Sequence, residues 1–215
     1  MTYLELVNDV LTRLRETNVS TVSETTYSAL IGKFVNDAKR QIEDSYTWNC
    51  LSQTITVTTA GGTTSYALTG VGQKFRVMDA INVTNNVGLT DIPFTVMNRK
   101  LNFTTPVSGV PTEYCFNGVD GNGDTKIDVY PPPDGVYTIY FDVIVPQAAL
   151  ASDGTSVKVL DYLVAQSAYA RALIERGEDG GTNSSEAYAL FRGMLSDAIA
   201  TESTRYPEES NFEAV

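Results

Sequence analysis

The hydrophobic period changes twice along this chain of 215 residues, from helical to alternating near Leu51 and back to helical near residue 156. In the first helix Leu4, Val7, Leu11 and Leu14 recur at three and four, forming one apolar stripe. Thr2 with Glu5 three residues on reads as a capping box. Asn18 to Ser23 breaks the pattern, and Ser23 is placed to cap a second helix. There Tyr27, Leu30, Ile31, Phe34, Val35, Ala38 and Ile42 make a wider stripe, with Lys33, Asp37, Arg40 and Asp44 off it. After residue 156, Val157, Leu160, Leu163, Val164, Ala168, Ala172 and Ile174 mark a third helix. Gly177 to Ser185 interrupts, and Ala187, Leu190, Phe191, Met194, Leu195 and Ala198 mark a fourth. Neither pair can bury wide stripes alone, so the economical packing joins both pairs and makes the middle an insertion.

The middle has a period of two. Gln53–Thr59 alternates Ile and Val with Thr, as a half-buried strand does. Ala60-Gly61-Gly62 is a turn, and Thr63–Leu68 returns. Lys74–Thr84, Ile92–Met97, Glu113–Asn117, Thr125–Tyr130 and Val136–Val145 follow as predicted strands, separated by Gly, Pro and Asn. The expected fold class is therefore α+β. A helical domain of four helices (1–50 and 151–206) carries an inserted antiparallel β-sandwich or barrel-like domain (51–150), and residues 207–215 form a tail.

Composition narrows the function. Hydrophobic residues make up 42% and charged residues 19%, enough for a core. Fifteen Lys and Arg against 26 Asp and Glu give a net charge of −11, which opposes gripping phosphate. DNA can pass such a surface without being held. The chain has no histidine, which removes His-based triads, His metal ligands and His pH switches together. Cys50 and Cys115 fit no CxxC pattern and read as small buried hydrophobes of a reducing compartment. The first residues carry Glu5 and Asp9 and lack a basic segment, unlike a signal peptide, and no apolar run suits a membrane span. The expected place of folding is a cytoplasm, with no cofactor.

The stretch DGNGDTKIDVYPPPDG, 120–135, partly matches a calcium loop. Asp120, Asn122 and Asp124 fill the first three ligand positions, and Asp128 suits the ninth. The turn glycine is replaced by Thr125, Lys126 places a cation beside the site, and Pro131 stands where a bidentate Glu is needed. A hairpin explains more of the stretch. Gly118–Asp124 is then the loop, Thr125–Tyr130 the returning strand with Ile127 and Val129 inward, and Pro131 its end.

Other features read as structure. Gly177–Gly181 lacks the Lys of a phosphate loop and holds Glu178 and Asp179, so it reads as a helix–helix loop. Lys39-Arg40 and Arg99-Lys100 read as solvated basic pairs, and Tyr46 and Trp48 as a packing wedge. Asp120 and Asp124 are the obvious acidic pair for glycoside cleavage, but no spacing points to one. Residues 177–215 hold eight acids and two bases, a net −6, and the last eight residues keep Phe212 among acids, as a docking peptide would.

With this order of elements, three stretches resemble the head-to-tail adaptor (connector) proteins of tailed, especially short-tailed, bacteriophages. They are TYLELVNDVLTRLRE with FVNDAKRQIEDSYTWNCL, then KIDVYPPPDGVYTIYFDVIV, then LDYLVAQSAYARALIERGED with EAYALFRGMLSDAI. The resemblance implies a non-enzymatic virion part at the head–tail neck. It implies a dodecameric ring that joins the portal to the tail nozzle and extends the DNA channel. On that reading the C-terminal segment, with Arg205, Tyr206, Glu208, Glu209, Phe212 and Val215, docks on the portal. The small residues Ala165, Ala168 and Ala172 form ring contacts, the 177–202 region faces the channel, and the β-domain faces nozzle or fibre proteins. The alternative is a carbohydrate-binding or carbohydrate-cleaving β-module of a tail, which needs exposed aromatics where the adaptor keeps Tyr137, Tyr140 and Phe141 covered.

Overall fold

A computed structural model describes residues 1–103, 105–177 and 181–205. The chain divides into two compact units: Met1–Leu51 with the chain from Pro146 onward, and Ser52–Val145.

The first unit is helical, with α1 (Tyr3–Arg13), α2 (Thr26–Ser45), α4 (Asp161–Arg176) and α5 (Thr182–Arg205). Helix α1 starts at the Thr2–Glu5 capping box, with both reciprocal hydrogen bonds present. Helix α2 starts two residues later than Ser23 suggested. Thr25 is its N-cap, and Ser28 returns the bond to the Thr25 N–H. Ser28 also reaches the Val22 carbonyl at 2.9 Å, which fixes the turn before the helix and leaves Ser23 without a capping role. Helix α4 packs against α1, α2 and α5 and occupies the middle of the unit. It ends at Gly177, whose φ of +62° suits a residue without a Cβ.

At Gly32 of α2 the Tyr3 side chain of α1 leaves no room for a Cβ. A Cβ there would lie 2.4 Å from the Tyr3 hydroxyl and 2.7 Å from a Val22 methyl. The strap 153–156 ties down the start of α1, with Tyr3 N–H donating to Thr155 C=O and Leu4 N–H to Asp153 C=O.

The second unit is a two-sheet sandwich. One sheet has the order β1 (Ser52–Thr58), β8 (Thr138–Ile144), β3 (Arg76–Asn82), β4 (Val87–Gly88). The other has the order β2 (Ser65–Ala67), β7 (Thr125–Tyr130), β6 (Glu113–Val119), β5 (Thr90–Asp91). All pairings are antiparallel except β5 with β6. Val57, Ala80, Ile139, Phe141 and Val143 of the first sheet meet Leu68, Tyr114, Ile127 and Val129 of the second in one core. The Tyr114 and Phe141 rings meet edge to face at 5.2 Å. Ser52 pairs with Ile144, so the insertion leaves and returns on neighbouring strands.

One predicted strand is a helix. Residues 92–97 read as alternating, but Phe94–Asn102 forms α3. Pro93 stands before it with φ of −59°, preset for a helical start. Met97 is fully buried and Lys100, three residues on, pairs with Glu113 of β6, so the helical spacing wins. Cys50 is exposed, against expectation, because it sits in the short 3₁₀ turn Asn49–Leu51 whose buried residue is Leu51. Cys115 is buried, and both thiols are free.

Candidate functional site

The 120–135 stretch folds as a hairpin. β6 and β7 are joined by the loop, and β7 stops at Tyr130, before Pro131. The Asp120 carboxylate accepts from the backbone N–H groups of Asn122 and Asp124, at 2.8 and 2.9 Å. Those donors, the Asp124 amide foremost, hold its pKa below the ordinary carboxylate value. Asp124 turns away from Asp120 and accepts from Gly70 and Gly72 N–H, at 3.0 and 2.9 Å. Asp128 is buried on β7 and takes a bond from Asn117 Nδ2 at 2.7 Å, and Asn122 Nδ2 reaches only Asp120. The four candidate cation ligands Asp120, Asn122, Asp124 and Asp128 thus make three separate sets of contacts, two in the loop and one on β7, rather than one. Among the described residues, no group of three or more His, Cys, Asp or Glu is placed to hold a metal ion.

The aromatic residues of β8 and its approach do not share a surface. Phe141 is in the core, Tyr140 points to the opposite face, and Tyr137 is half-buried with its hydroxyl on Asp134.

Ala165, Ala168 and Ala172 lie inside the helical unit, at 1, 0 and 0% exposure. Their small size lets α1, α2 and α5 approach α4 within one chain. The three residues expected as ring contacts are thus buried within one chain. Polar bonds knit the same helix outward. Arg13 Nη1 donates to Gln166 Oε1 at 2.9 Å, Gln166 Nε2 to Ala187 C=O at 3.1 Å, and Arg176 Nε to Tyr27 Oη at 2.9 Å. Arg176 also pairs with Glu16.

Among the described residues, the buried positions of helix α5 lie on one side. Ser184, Ala187, Phe191 and Ala198 are its buried residues, and α4 is the helix it packs on. Its apolar residues are not confined to that side: Leu190 is 58% exposed and Tyr188 42%, with Ile174 of α4 at 62%. Arg205 closes the helix, exposed. The other proposed portal contacts, Tyr206, Glu208, Glu209, Phe212 and Val215, lie outside the described residues, as do Glu178 to Gly180.

Sequence reasoning missed one polar cluster. Lys39, read as half of a solvated basic pair, is buried against Glu43, while its neighbour Arg40 is exposed. The one-turn spacing of Lys39 and Glu43 was the available signal. Together with Asn36 they bind the returning segment. Lys39 Nζ donates to Gln147 C=O, Gln147 N–H donates to Glu43 Oε1, and Leu150 N–H donates to Asn36 Oδ1. Trp48 is buried too, and its indole N–H donates to Ile42 C=O at 2.7 Å.

Helix pair, β-sandwich insert and closing helix pair now stand in one chain. A profile of the family described as SU10 adaptor protein matches residues 1–211. The chain belongs to the SU10 adaptor protein family. It is a structural, non-enzymatic head-to-tail adaptor of a bacteriophage particle. A search of the curated proteins found no match. The matched span takes in the described residues of both units of the adaptor. Among its described residues no helix is long and apolar enough to cross a membrane.

Proposed function

We propose that the adaptor assembles, in the host cytoplasm, into a dodecameric ring between the portal and the tail nozzle, through which the genome passes without specific binding. The observation that supports a ring is α5. A helix with apolar residues on more than one side is one that more than one neighbour covers, and among the described residues the buried positions of α5 lie on the side of α4. The lateral contact is accordingly placed on Tyr188 and Leu190 rather than on the alanines of α4. The net charge of −11 supports passage of DNA, because an acidic wall repels phosphate. The C-terminal segment from Arg205 is the proposed portal contact, and the β-sandwich the nozzle or fibre contact.

The test is to mix the full chain with the portal ring encoded beside its gene and to count copies by mass, with a 1–206 truncation alongside. A symmetric ring on the portal, weakened by truncation, supports the reading. No binding at micromolar concentration removes it and turns attention to glycan screening of the β-sandwich.

A further inference from the structure

We infer that the free edge of β1 is a strand-addition site for an extended, basic segment of a tail-side partner. The ladder fixes which backbone groups are free. Thr59 N–H donates to Tyr137 C=O, and Val83 N–H donates to Thr138 C=O, both at 2.9 Å. Odd-numbered residues of β8 therefore turn their backbones to β1, and even-numbered ones to β3. By the register, Gln53, Ile55 and Val57 bond β8. Thr54, Thr56 and Thr58 turn N–H and C=O outward, and all three are exposed. Among the described residues no backbone partner reaches them.

An edge of this kind is normally blunted by Lys, Pro, a bulge or shortness. β1 has none of these. Its sequence SQTITVT is uncharged and lacks proline, and its register against β8 runs without a shift over seven residues. The bulge in this sheet falls on the far side of β8, between Val77 and Asp79. The other outer strands span three residues in β2 and two each in β4 and β5. A seven-residue strand offers roughly 20–24 Å of pairing, and it is stiffened by β-branched side chains anchored in the core through Ile55 and Val57.

Charge selects the occupant. On the outer face one row runs Thr54, Asp142, Asp79 across β1, β8 and β3. The two carboxylates are neighbours on adjacent strands, both exposed, and Thr54 Oγ1 donates to Asp142. An added strand places its residue beside Thr54, where a Lys or Arg reaches this acidic row. A second copy of β1 brings only Ser and Thr to that face and a second pair of carboxylates to the contact, so a basic foreign segment complements the edge better.

The inference rests on the adaptor reading only for the choice of peptides. Overlapping peptides of about ten residues, taken from the tail proteins of the same genome, are tested for binding to the full chain. Two variants accompany it. Thr56→Pro removes an outward N–H that β8 does not use, a position where an edge strand tolerates proline. Asp142→Lys reverses the charge of the row. The expected result is binding of Lys- or Arg-bearing peptides, weakened about tenfold or more by Thr56→Pro, where a lost hydrogen bond adds to a steric block. Asp142→Lys weakens the same peptides. On binding, amide exchange slows at Thr54, Thr56 and Thr58, and portal binding by both variants is unchanged. The inference is overturned if no peptide binds, if Thr56→Pro binds as wild type does, or if the edge instead forms a wild-type dimer that Thr56→Pro abolishes. Failure of the chain to bind the portal would count against the adaptor reading alone, since exchange protection is read without the portal.

Discussion

Lys39 Nζ donates to both carboxylate oxygens of Glu43 at 3.1 Å, with the two side chains 3 and 1% exposed. The pair sits one helical turn apart and faces the backbone of Gln147, where the chain re-enters the helical unit. Removing one member leaves the other charge buried without its partner, which costs about 3–5 kcal/mol. Lys39→Met is expected to fall in that range by denaturant unfolding. The double variant Lys39→Met/Glu43→Leu should cost less than the sum of the singles, because neither charge is then orphaned. Additive losses would show that the two side chains act independently.

Gly32 is expected to resist substitution for a spatial reason. Its φ is unremarkable, but an added methyl meets the Tyr3 hydroxyl at 2.4 Å. Gly32→Ala should destabilise by about 1–3 kcal/mol, as other overpacked sites do. Tyr3→Phe in the same chain removes the closest atom and should recover part of the loss. A neutral or stabilising Gly32→Ala in thermal melts would mean that α1 and α2 are packed more loosely.

How much of this was legible depended on whether the signal was local. The α1 cap was readable because Thr2 and Glu5 lie three residues apart in one turn. Thr125–Tyr130 was readable to the residue, since Pro131 ends it chemically. Phe94–Asn102 was not. Ile92, Phe94 and Val96 alternate over a short window, and only the burial of Met97 and the Lys100–Glu113 contact, both tertiary, decide for a helix. The alanines of α4 show the same limit at the level of function. Small residues announce a close neighbour, but not whether that neighbour belongs to the same chain. Lys39 shows it for charge, where Glu43 was visible on the same helix face but Gln147, more than a hundred residues away, was not.

The hairpin loop is expected to be held by Asp124 rather than by a cation. Asp124→Ala removes the acceptor for two backbone N–H groups, those of Gly70 and Gly72. Hydrogen bonds to a charged group contribute about 1.5–3 kcal/mol each, less where water can replace them. The variant should therefore lose about 1–3 kcal/mol. Adding calcium or a chelator should shift the transition of neither protein. A chelator-sensitive wild type would restore the cation reading of this loop.

Tyr114 gives the protein an alkaline weakness. Burial in the sandwich core pushes its pKa up to about 12, with the Asp91 and Asp79 carboxylates adding to the rise. The folded phenol stays neutral while the unfolded one ionises near pH 10. An acid whose folded pKa is raised contributes fully below the unfolded pKa, so its stability is intact below pH 10 and declines as pH climbs from 10 toward 12. Tyr114→Phe should flatten this limb of the stability profile, and a titration of tyrosinate absorbance should lose its latest-ionising group. An unchanged alkaline limb in the variant would assign the loss to other groups.

Leu190 and Ala168 separate assembly from folding. Leu190 is 58% exposed on α5, whereas Ala168 is fully buried in α4. A polar change at an exposed helical position typically moves stability by no more than about 0.5 kcal/mol. Leu190→Asp should therefore melt as wild type does, yet fail to build a complete ring on the portal, because it carries a charge into the proposed lateral contact. Ala168→Leu should do the opposite. Overpacking at the centre of the unit costs about 1–3 kcal/mol, while any subunit that still folds presents an unchanged outer face and assembles. Mass counting of portal-bound copies, beside a thermal melt of each variant, reads both effects. A Leu190→Asp protein that assembles with wild-type copy number would move the lateral contact off α5.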